Sequence, residues 1–178
     1  MGKTKFKHIL EKLHETSEFR KFKKENPDSY LCAGFFIIDK DKKTREQDQV
    51  DYYLPKTKKI ETFILGKGKV EMKESETIKK DVIPEMLDKE VLTDIESLWQ
   101  RVDDAMKDNN VSSEIQKLIA IIQNINEKNI WNITCMLSGL SILKMHLSDE
   151  DASILKFEKM NLIDFSSKGQ GSKPDYIQ

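Results

Sequence analysis

The sequence predicts an α+β protein in which helices pack on antiparallel β-sheet. Segments with helical spacing of apolar residues precede runs of short strand-like segments, and this order occurs twice in the 178 residues. Short links between the strand-like segments indicate antiparallel meanders. A content of 38% hydrophobic and 34% charged residues is typical of a folded, well-solvated chain. We therefore expect two successive α-β-β-β-β units, whose sheets are either separate or continuous.

The first unit begins with a helical segment at residues 4–25. One apolar stripe of this segment consists of Phe6, Ile9, Leu10 and Leu13. Phe19 and Phe22 are out of phase with that stripe, so we predict a kink or restart near Thr16-Ser17, where the side chains suit a helix cap. The turn residues Asn26-Pro27-Asp28 then end the helix.

Four strand-like segments complete the first unit. They are residues 30–38, 49–54, 60–65 and 69–73. The first of them, YLCAGFFII, is rich in aromatic and β-branched residues and predicts a buried strand. Because the later links, such as Gly66-Lys67-Gly68, are short, we expect an antiparallel meander.

A polar connector and a second helix introduce the second unit. The connector contains Pro84, with one helical turn expected at Glu85–Asp88. Thr93-Asp94-Ile95-Glu96 has the pattern of a capping box, in which threonine and glutamate satisfy free amides at a helix start. Helical spacing then predicts a helix at residues 94–108. Its apolar residues are Ile95, Leu98, Trp99, Val102, Ala105 and Met106.

Strand-like segments also follow the second helix. They are residues 114–123, which are apolar on both faces in their middle, 130–137, 140–147 and 154–157. From Ser166 the sequence is rich in Gly, Ser and Lys, which is typical of a flexible tail. We therefore divide the chain into a first unit at 1–75, a connector at 76–91, a second unit at 92–165 and a tail at 166–178.

Residues 92–157 resemble PepSY-like and cystatin-like domains, in which a helix lies across a curved antiparallel sheet. The resemblance is carried by the strand Ile130-Trp131-Asn132-Ile133-Thr134, the hairpin strand at 143–147, the aspartate-centred turn at 148–153 and the last strand at Ile154-Leu155. PepSY-like domains usually have a Thr-Gly pair where Ala152-Ser153 stands here. They are often associated with peptidase inhibition, so the resemblance implies binding to a protein partner.

Charge is distributed unevenly along the chain. Residues 1–80 hold 20 Lys and Arg against 14 Asp and Glu, whereas residues 81–178 hold 10 against 17. Opposite charges on the two halves favour packing of one half on the other or antiparallel self-association, unless they are random variation of the surface. Only Arg20, Arg45 and Arg101 are arginines, which argues against a dedicated nucleic-acid reader.

The sequence shows neither an export signal nor a membrane span. The first 24 residues are charged throughout, and no stretch approaches the roughly 20 apolar residues of a transmembrane helix. We therefore expect a cytoplasmic protein without membrane contact. Cys32 and Cys135 both fall in apolar strand-like segments, where we expect buried, structural thiols.

Catalytic and metal-binding patterns are missing from the sequence. His8, His14 and His146 form no i,i+4 pair and no Cys-His cluster, so we expect no metal site, no cofactor and no catalytic residue. A cysteine nucleophile would need Cys32 or Cys135 to meet a histidine in the fold. An enzyme is therefore the less favoured class, although the sequence leaves it open.

Two functions remain. The first is a non-enzymatic protein-binding or regulatory module that engages a partner, or a second copy as a homodimer, through a sheet edge or face. The alternative is a small-ligand-binding protein or enzyme with an apolar pocket between helix and curved sheet. The residues expected to line that pocket are Trp99, Trp131, Tyr52 and Tyr53.

Overall fold

The computed structural model of the protein describes residues 5–41, 45–66, 68–76, 82–87 and 90–162. The first half contains α1 (Phe6–His14), α2 (Ser17–Glu25), β1 (Tyr30–Asp39), β2 (Arg45–Leu54), β3 (Lys59–Leu65) and β4 (Val70–Glu76). The second half contains α3 (Ser97–Asp108), β5 (Ile115–Ile125), β6 (Lys128–Leu137), β7 (Ser141–Ser148) and β8 (Ile154–Asn161). The predicted α+β class and its antiparallel pairing are confirmed.

The eight strands of the described residues belong to one continuous antiparallel sheet. Its order is β4-β3-β2-β1-β5-β6-β7-β8, so each half is a meander and the two meanders meet where β1 pairs with β5. Gly34 lies opposite Ile122 and Ile38 opposite Leu118 in this central pair. The two sheets that the sequence left undecided are therefore merged.

The break in the first helical segment is confirmed. Thr16 caps α2, because its hydroxyl accepts a hydrogen bond from the Phe19 amide at 3.3 Å. The restart turns Phe19 and Phe22 onto the same core as Phe6, in spite of their different phase along the sequence. Phe6 packs edge to face on Phe36 of β1, with ring centroids 5.8 Å apart.

The helices share their core with one face of the sheet. Buried residues of α1, α2 and α3 form a single cluster with alternate residues of the strands, as the period of two in a strand requires. The strand members of the cluster include Phe36, Val50, Phe63, Ile122, Trp131, Ile133 and Met145. We call this side of the sheet the covered face and the opposite side the open face. None of the helices in the described ranges is long and apolar enough to span a membrane.

Two local predictions were wrong. The second helix begins at Ser97, and no side chain caps it, so Thr93 to Glu96 do not form a capping box. The reason is that the Thr93 amide donates a hydrogen bond to the carboxylate of Asp149, 56 residues away. The chain therefore stays non-helical until Ser97. Residues 85–87 also lack the expected helical turn, and Asp88 lies outside the described residues.

The described ranges leave part of the predicted organisation open. The expected tail at 166–178 lies outside them. The division into units at 1–75 and 92–165 stays a prediction, with β4 ending at Glu76 and α3 beginning at Ser97.

Candidate functional site

The four aromatic residues predicted to line a pocket do not surround one cavity. Trp131 is fully buried on the covered face, where it packs on Phe36 with ring centroids 5.9 Å apart. Tyr52 is buried on the same face among phenylalanines of α2 and β3, and its hydroxyl lies 2.9 Å from Nε2 of His14. Tyr53 points to the open face against Tyr30, and Trp99 lies partly buried on α3.

Asp149 is the best-connected buried polar residue near Trp131. Its Oδ1 atom accepts hydrogen bonds from the indole Nε1 of Trp131 and the amide of Thr93, both at 2.9 Å, and its Oδ2 atom accepts one from the amide of Leu92 at 2.7 Å. Asp149 itself is 4% exposed. The carboxylate therefore fastens the segment before α3 to β6, which is a structural role.

The two cysteines are buried, as predicted, and unsuited to nucleophilic chemistry. Burial raises the pKa of Cys135 to about 12. Burial also raises the pKa of Cys32 strongly, and its thiol donates to the carbonyl of Asp51 at 3.3 Å. Both thiols are therefore protonated at neutral pH, and neither pairs with a histidine in the contacts of the described residues. Those residues also hold no group of three His, Cys, Asp or Glu side chains suited to a metal ion.

A groove of about 650 Å³ runs between the first helices and the hairpin that joins β3 to β4. Its apolar lining includes Ile9, Leu65 and Val70, and its charged lining includes Lys12 and Glu18. None of the four predicted aromatic residues contributes to it. The groove is open and has charged residues in its lining, unlike the enclosed apolar pockets that bind small molecules.

The open face carries an apolar centre over which none of the helices in the described ranges lies. Phe35 lies opposite Ile121, and Ile37 lies opposite Ile119, across the pairing of β1 with β5. All four side chains are partly exposed. An antiparallel sheet with helices on one side normally alternates apolar inside and polar outside, so these two strands depart from the expected pattern.

Polar side chains flank the apolar centre on both sides. On β6, Asn132 is 8% exposed and donates to Gln123, while its Oδ1 atom accepts no hydrogen bond in the described structure. On β2, Gln49 lies opposite Phe35 and donates to the carboxylate of Asp51, which Thr62 also contacts at 2.7 Å. Burial raises the pKa of Asp51, and these two hydrogen bonds oppose the rise.

His146 lies beside Asn132 on the next strand of the open face. Burial lowers the pKa of its imidazole, and the charges of Lys156 and Lys144 lower it further. The histidine is therefore neutral at pH 7 and can donate or accept a hydrogen bond at the margin of the apolar centre.

The four residues of the apolar centre, Phe35, Ile37, Ile119 and Ile121, were not predicted as a site from the sequence. The signal was present, because residues 114–123 are apolar on both faces in their middle and residues 30–38 form one apolar run. Such runs are typical of strands that are covered on both sides. Which of the two faces the helices leave uncovered depends on long-range packing, which periodicity does not contain.

With the fold and this face described, the class of the protein is α+β with an antiparallel sheet. No protein-family model matches the chain, and no curated protein matches its sequence. The chain is similar to a solved structure, that of a "putative lipoprotein" from Clostridium difficile 630, with 12% sequence identity and a TM-score of 0.51. The match covers 80% of this chain and 90% of the other.

At this identity the likeness shows the fold alone. The expectation of a cytoplasmic protein therefore stays a prediction. The PepSY-like or cystatin-like resemblance likewise stays a prediction, since no family model supports it.

Proposed function

We propose that the protein is a non-enzymatic binding module that engages a protein partner through the open face of its sheet. The observation that carries this proposal is that β1 and β5 are apolar on both faces, while the helices cover only one. Phe35, Ile37, Ile119 and Ile121 are the residues that a partner would cover.

Burial energetics support a partner at this face. Full burial of such a side chain contributes roughly 1.5–3 kcal/mol, so partial burial leaves on the order of 1 kcal/mol per residue to be gained on binding. The polar margin would orient a partner through hydrogen bonds, because Asn132 offers an acceptor atom and Gln49 offers an amide next to the apolar centre. An apolar centre with a polar rim is the usual anatomy of a protein interface.

The finer description of the fold belongs to the same proposal. We infer that the second half is a PepSY-like or cystatin-like unit, in which α3 and the meander of β5 to β8 follow one another in the order that this resemblance implies. Asp149, in the aspartate-centred turn, fastens the start of that unit to Trp131. A regulatory or inhibitory role would follow from occupation of the open face.

A small-ligand site has less support. The four aromatic residues predicted for it lie on both faces of the sheet, and the groove of about 650 Å³ has a charged and open lining. A polar group pointing into an enclosed apolar cavity would be the feature that favours it.

Site-specific photo-crosslinking tests the proposal and does not require that the partner be identified first. A photoreactive amino acid replaces Ile119 on the open face, and in a matched control it replaces Gln100, an exposed residue of α3. In the native host cells we expect a covalent protein adduct from position 119 and little from position 100. Equal labelling at both positions, or no protein adduct at position 119, would contradict the proposal.

A further inference from the structure

We propose, building on the proposed function, that the partner on the open face is a second copy of this chain. The copies are related by a 180° rotation about an axis that is parallel to the strands and lies over the junction of β1 and β5. This rotation places β1 to β4 of one copy over β5 to β8 of the other. The sheets then pack face to face with nearly aligned strands, as in β-sandwiches.

The rows of residues across the open face match under this rotation. Phe35 of one copy lies over Ile121 of the other, because the two residues are directly paired at equal distances from the axis. Ile37 lies over Ile119 for the same reason. One strand further out, Gln49 is paired with Phe35 and Asn132 with Ile121, so Gln49 lies over Asn132 of the other copy. At these positions Phe35 and Ile37 meet isoleucines and Gln49 meets Asn132, whereas in the neighbouring row Asp51 lies over Ile130 of the other copy.

This arrangement gives the buried Oδ1 atom of Asn132 a donor. That atom accepts no hydrogen bond in the described structure, and the side chain is 8% exposed. An unsatisfied buried acceptor costs about 1–3 kcal/mol. The Nε2 group of Gln49 from the second copy is the group that the rotation brings nearest to it, since both lie in the same row.

Charges on the open face are complementary between the two halves. The described acidic and basic side chains of the first half on this face are Asp39, Asp51, Glu71 and Lys73. Those of the second half are Lys117, Lys128, Lys144, Lys156 and Glu158. The first set is mainly acidic and the second mainly basic. The rotation places Glu71 of one copy over Lys156 of the other, because both lie in the row of Phe35 and Ile121. Asp39, which pairs with Lys117 at 3.6 Å in its own chain, also lies over Lys117 of the other copy.

The other two-fold arrangement that keeps the strands of the two sheets aligned is disfavoured. An axis perpendicular to the strands would place each half over its own copy, so acidic side chains would face acidic ones and lysines would face lysines. Like charges across an interface cost several kcal/mol. The available area also suits a dimer, because six strands and four rows of residues span roughly 500–800 Å², close to the ~800 Å² per partner of a standard interface.

Thiol crosslinking of the full chain tests the arrangement. Two single variants are made, Gln49→Cys and Asn132→Cys. Each variant by itself, and a mixture of the two, is treated with a short bismaleimide. A bismaleimide is used because stacked sheets lie about 10 Å apart, too far for a direct disulfide. The native cysteines are buried. We expect a covalent dimer only from the mixture, since position 49 of one copy faces position 132 of the other copy. A second pair, Ile64→Cys with His146→Cys, occupies the next strands of the same row and guards against misfolding of the Asn132 variant.

The mass of the protein in solution supplies the second readout. We expect a dimer at micromolar concentration, a monomer for Ile119→Lys, a dimer weakened at least tenfold for the milder Ile119→Thr, and an unchanged dimer for the control Gln100→Lys. Crosslinking of Gln49→Cys to itself would overturn the arrangement. A monomeric wild type would contradict the proposal that the partner is a second copy. The proposal that a protein binds through the open face would still stand if position 119 photo-crosslinked to a different protein.

Discussion

The two faces of the sheet are built from the same strands but are completed in different ways. On β1, Phe36 is fully buried under α1, whereas its neighbour Phe35 points to the open face and stays partly exposed. The covered face obtains its second layer from helices of the same chain. None of the described helices covers the apolar centre of the open face, and we propose that its second layer comes from outside the chain.

The largest difference between the faces is expected for the two neighbouring phenylalanines. Phe36→Ala removes a fully buried ring from the core and should lower the free energy of unfolding by about 3–5 kcal/mol. Phe35→Ala should cost about 1 kcal/mol in dilute protein, because its ring already contacts solvent. Urea denaturation at low and high protein concentration measures both effects.

Concentration is the control in this experiment. If the open face is filled by a second copy, the loss for Phe35→Ala grows as the protein is concentrated, while the loss for Phe36→Ala does not. A concentration-independent loss for Phe35→Ala would remove the proposed difference between the faces.

A buried carboxylate distinguishes the covered face as well. Asp149→Asn replaces one acceptor oxygen by a donor and should cost about 2–4 kcal/mol, because three N–H groups point at that carboxylate. Glu150→Gln, in the same turn but exposed, should change the stability by less than about 0.5 kcal/mol. Chemical denaturation followed by tryptophan fluorescence compares the two variants, and equal stability of both would argue against the fastening role of Asp149.

Close packing of α1 on the covered face depends on a glycine. A Cβ atom at Gly34 would lie 2.7 Å from Cε2 of Phe6 and 3.0 Å from Cγ2 of Ile122. Gly34→Ala should therefore destabilise the protein by about 1–3 kcal/mol. At Gly66 the nearest atom would be 3.8 Å away, so Gly66→Ala should have little effect on the thermal midpoint. A lower thermal midpoint for Gly66→Ala than for Gly34→Ala would show that α1 does not pack as described.

The smallest effect concerns pH. Burial lowers the pKa of His14 on the covered side and of His146 on the open face below 6.5. Between pH 6.5 and the lowered pKa values, the unfolded chain therefore binds more protons than the folded chain does. The stability of the fold decreases as the pH falls through this range. Replacing both histidines by Gln should flatten the dependence of the thermal midpoint on pH between about 7.5 and 5.

Other groups require a comparison at each pH value. Asp51 and Glu61 have pKa values raised by burial, and they act in the opposite direction because the folded state holds their protons more tightly. The difference between wild type and the double histidine variant isolates the histidine contribution. An identical slope of the thermal midpoint against pH for both proteins would contradict a contribution from the histidines.

The local order of the fold was accessible from sequence because local chemistry decides it. The cap at Thr16, the Gly66 hairpin and the burial of Cys32 and Cys135 follow from residue type and spacing. The pairing of β1 with β5 was not accessible, because the paired residues are 78 to 90 positions apart and no local pattern links the two strands. Their apolar character on both faces was the physical sign of a central position.

The start of the second helix depends on a long-range contact. Thr93 to Glu96 has the residue pattern of a capping box, but Asp149 binds the Thr93 amide and the helix begins only at Ser97. Local patterns do not contain a contact between residues 56 positions apart. Tyr52 and Tyr53, two of the four residues predicted to line a pocket, are neighbours on β2 and point to opposite faces of the sheet.

Oxidation of two methionines tests the account of the open face most directly. Met136, on the open face, is 47% exposed, and Met86, in the connector, is 48% exposed, so hydroxyl radicals should oxidise both at similar rates in dilute protein. We expect concentration of the protein to protect Met136 severalfold while Met86 continues to react, with mass spectrometry measuring the sulfoxide at each site. Equal oxidation of both methionines at every concentration would contradict the pairing of two open faces.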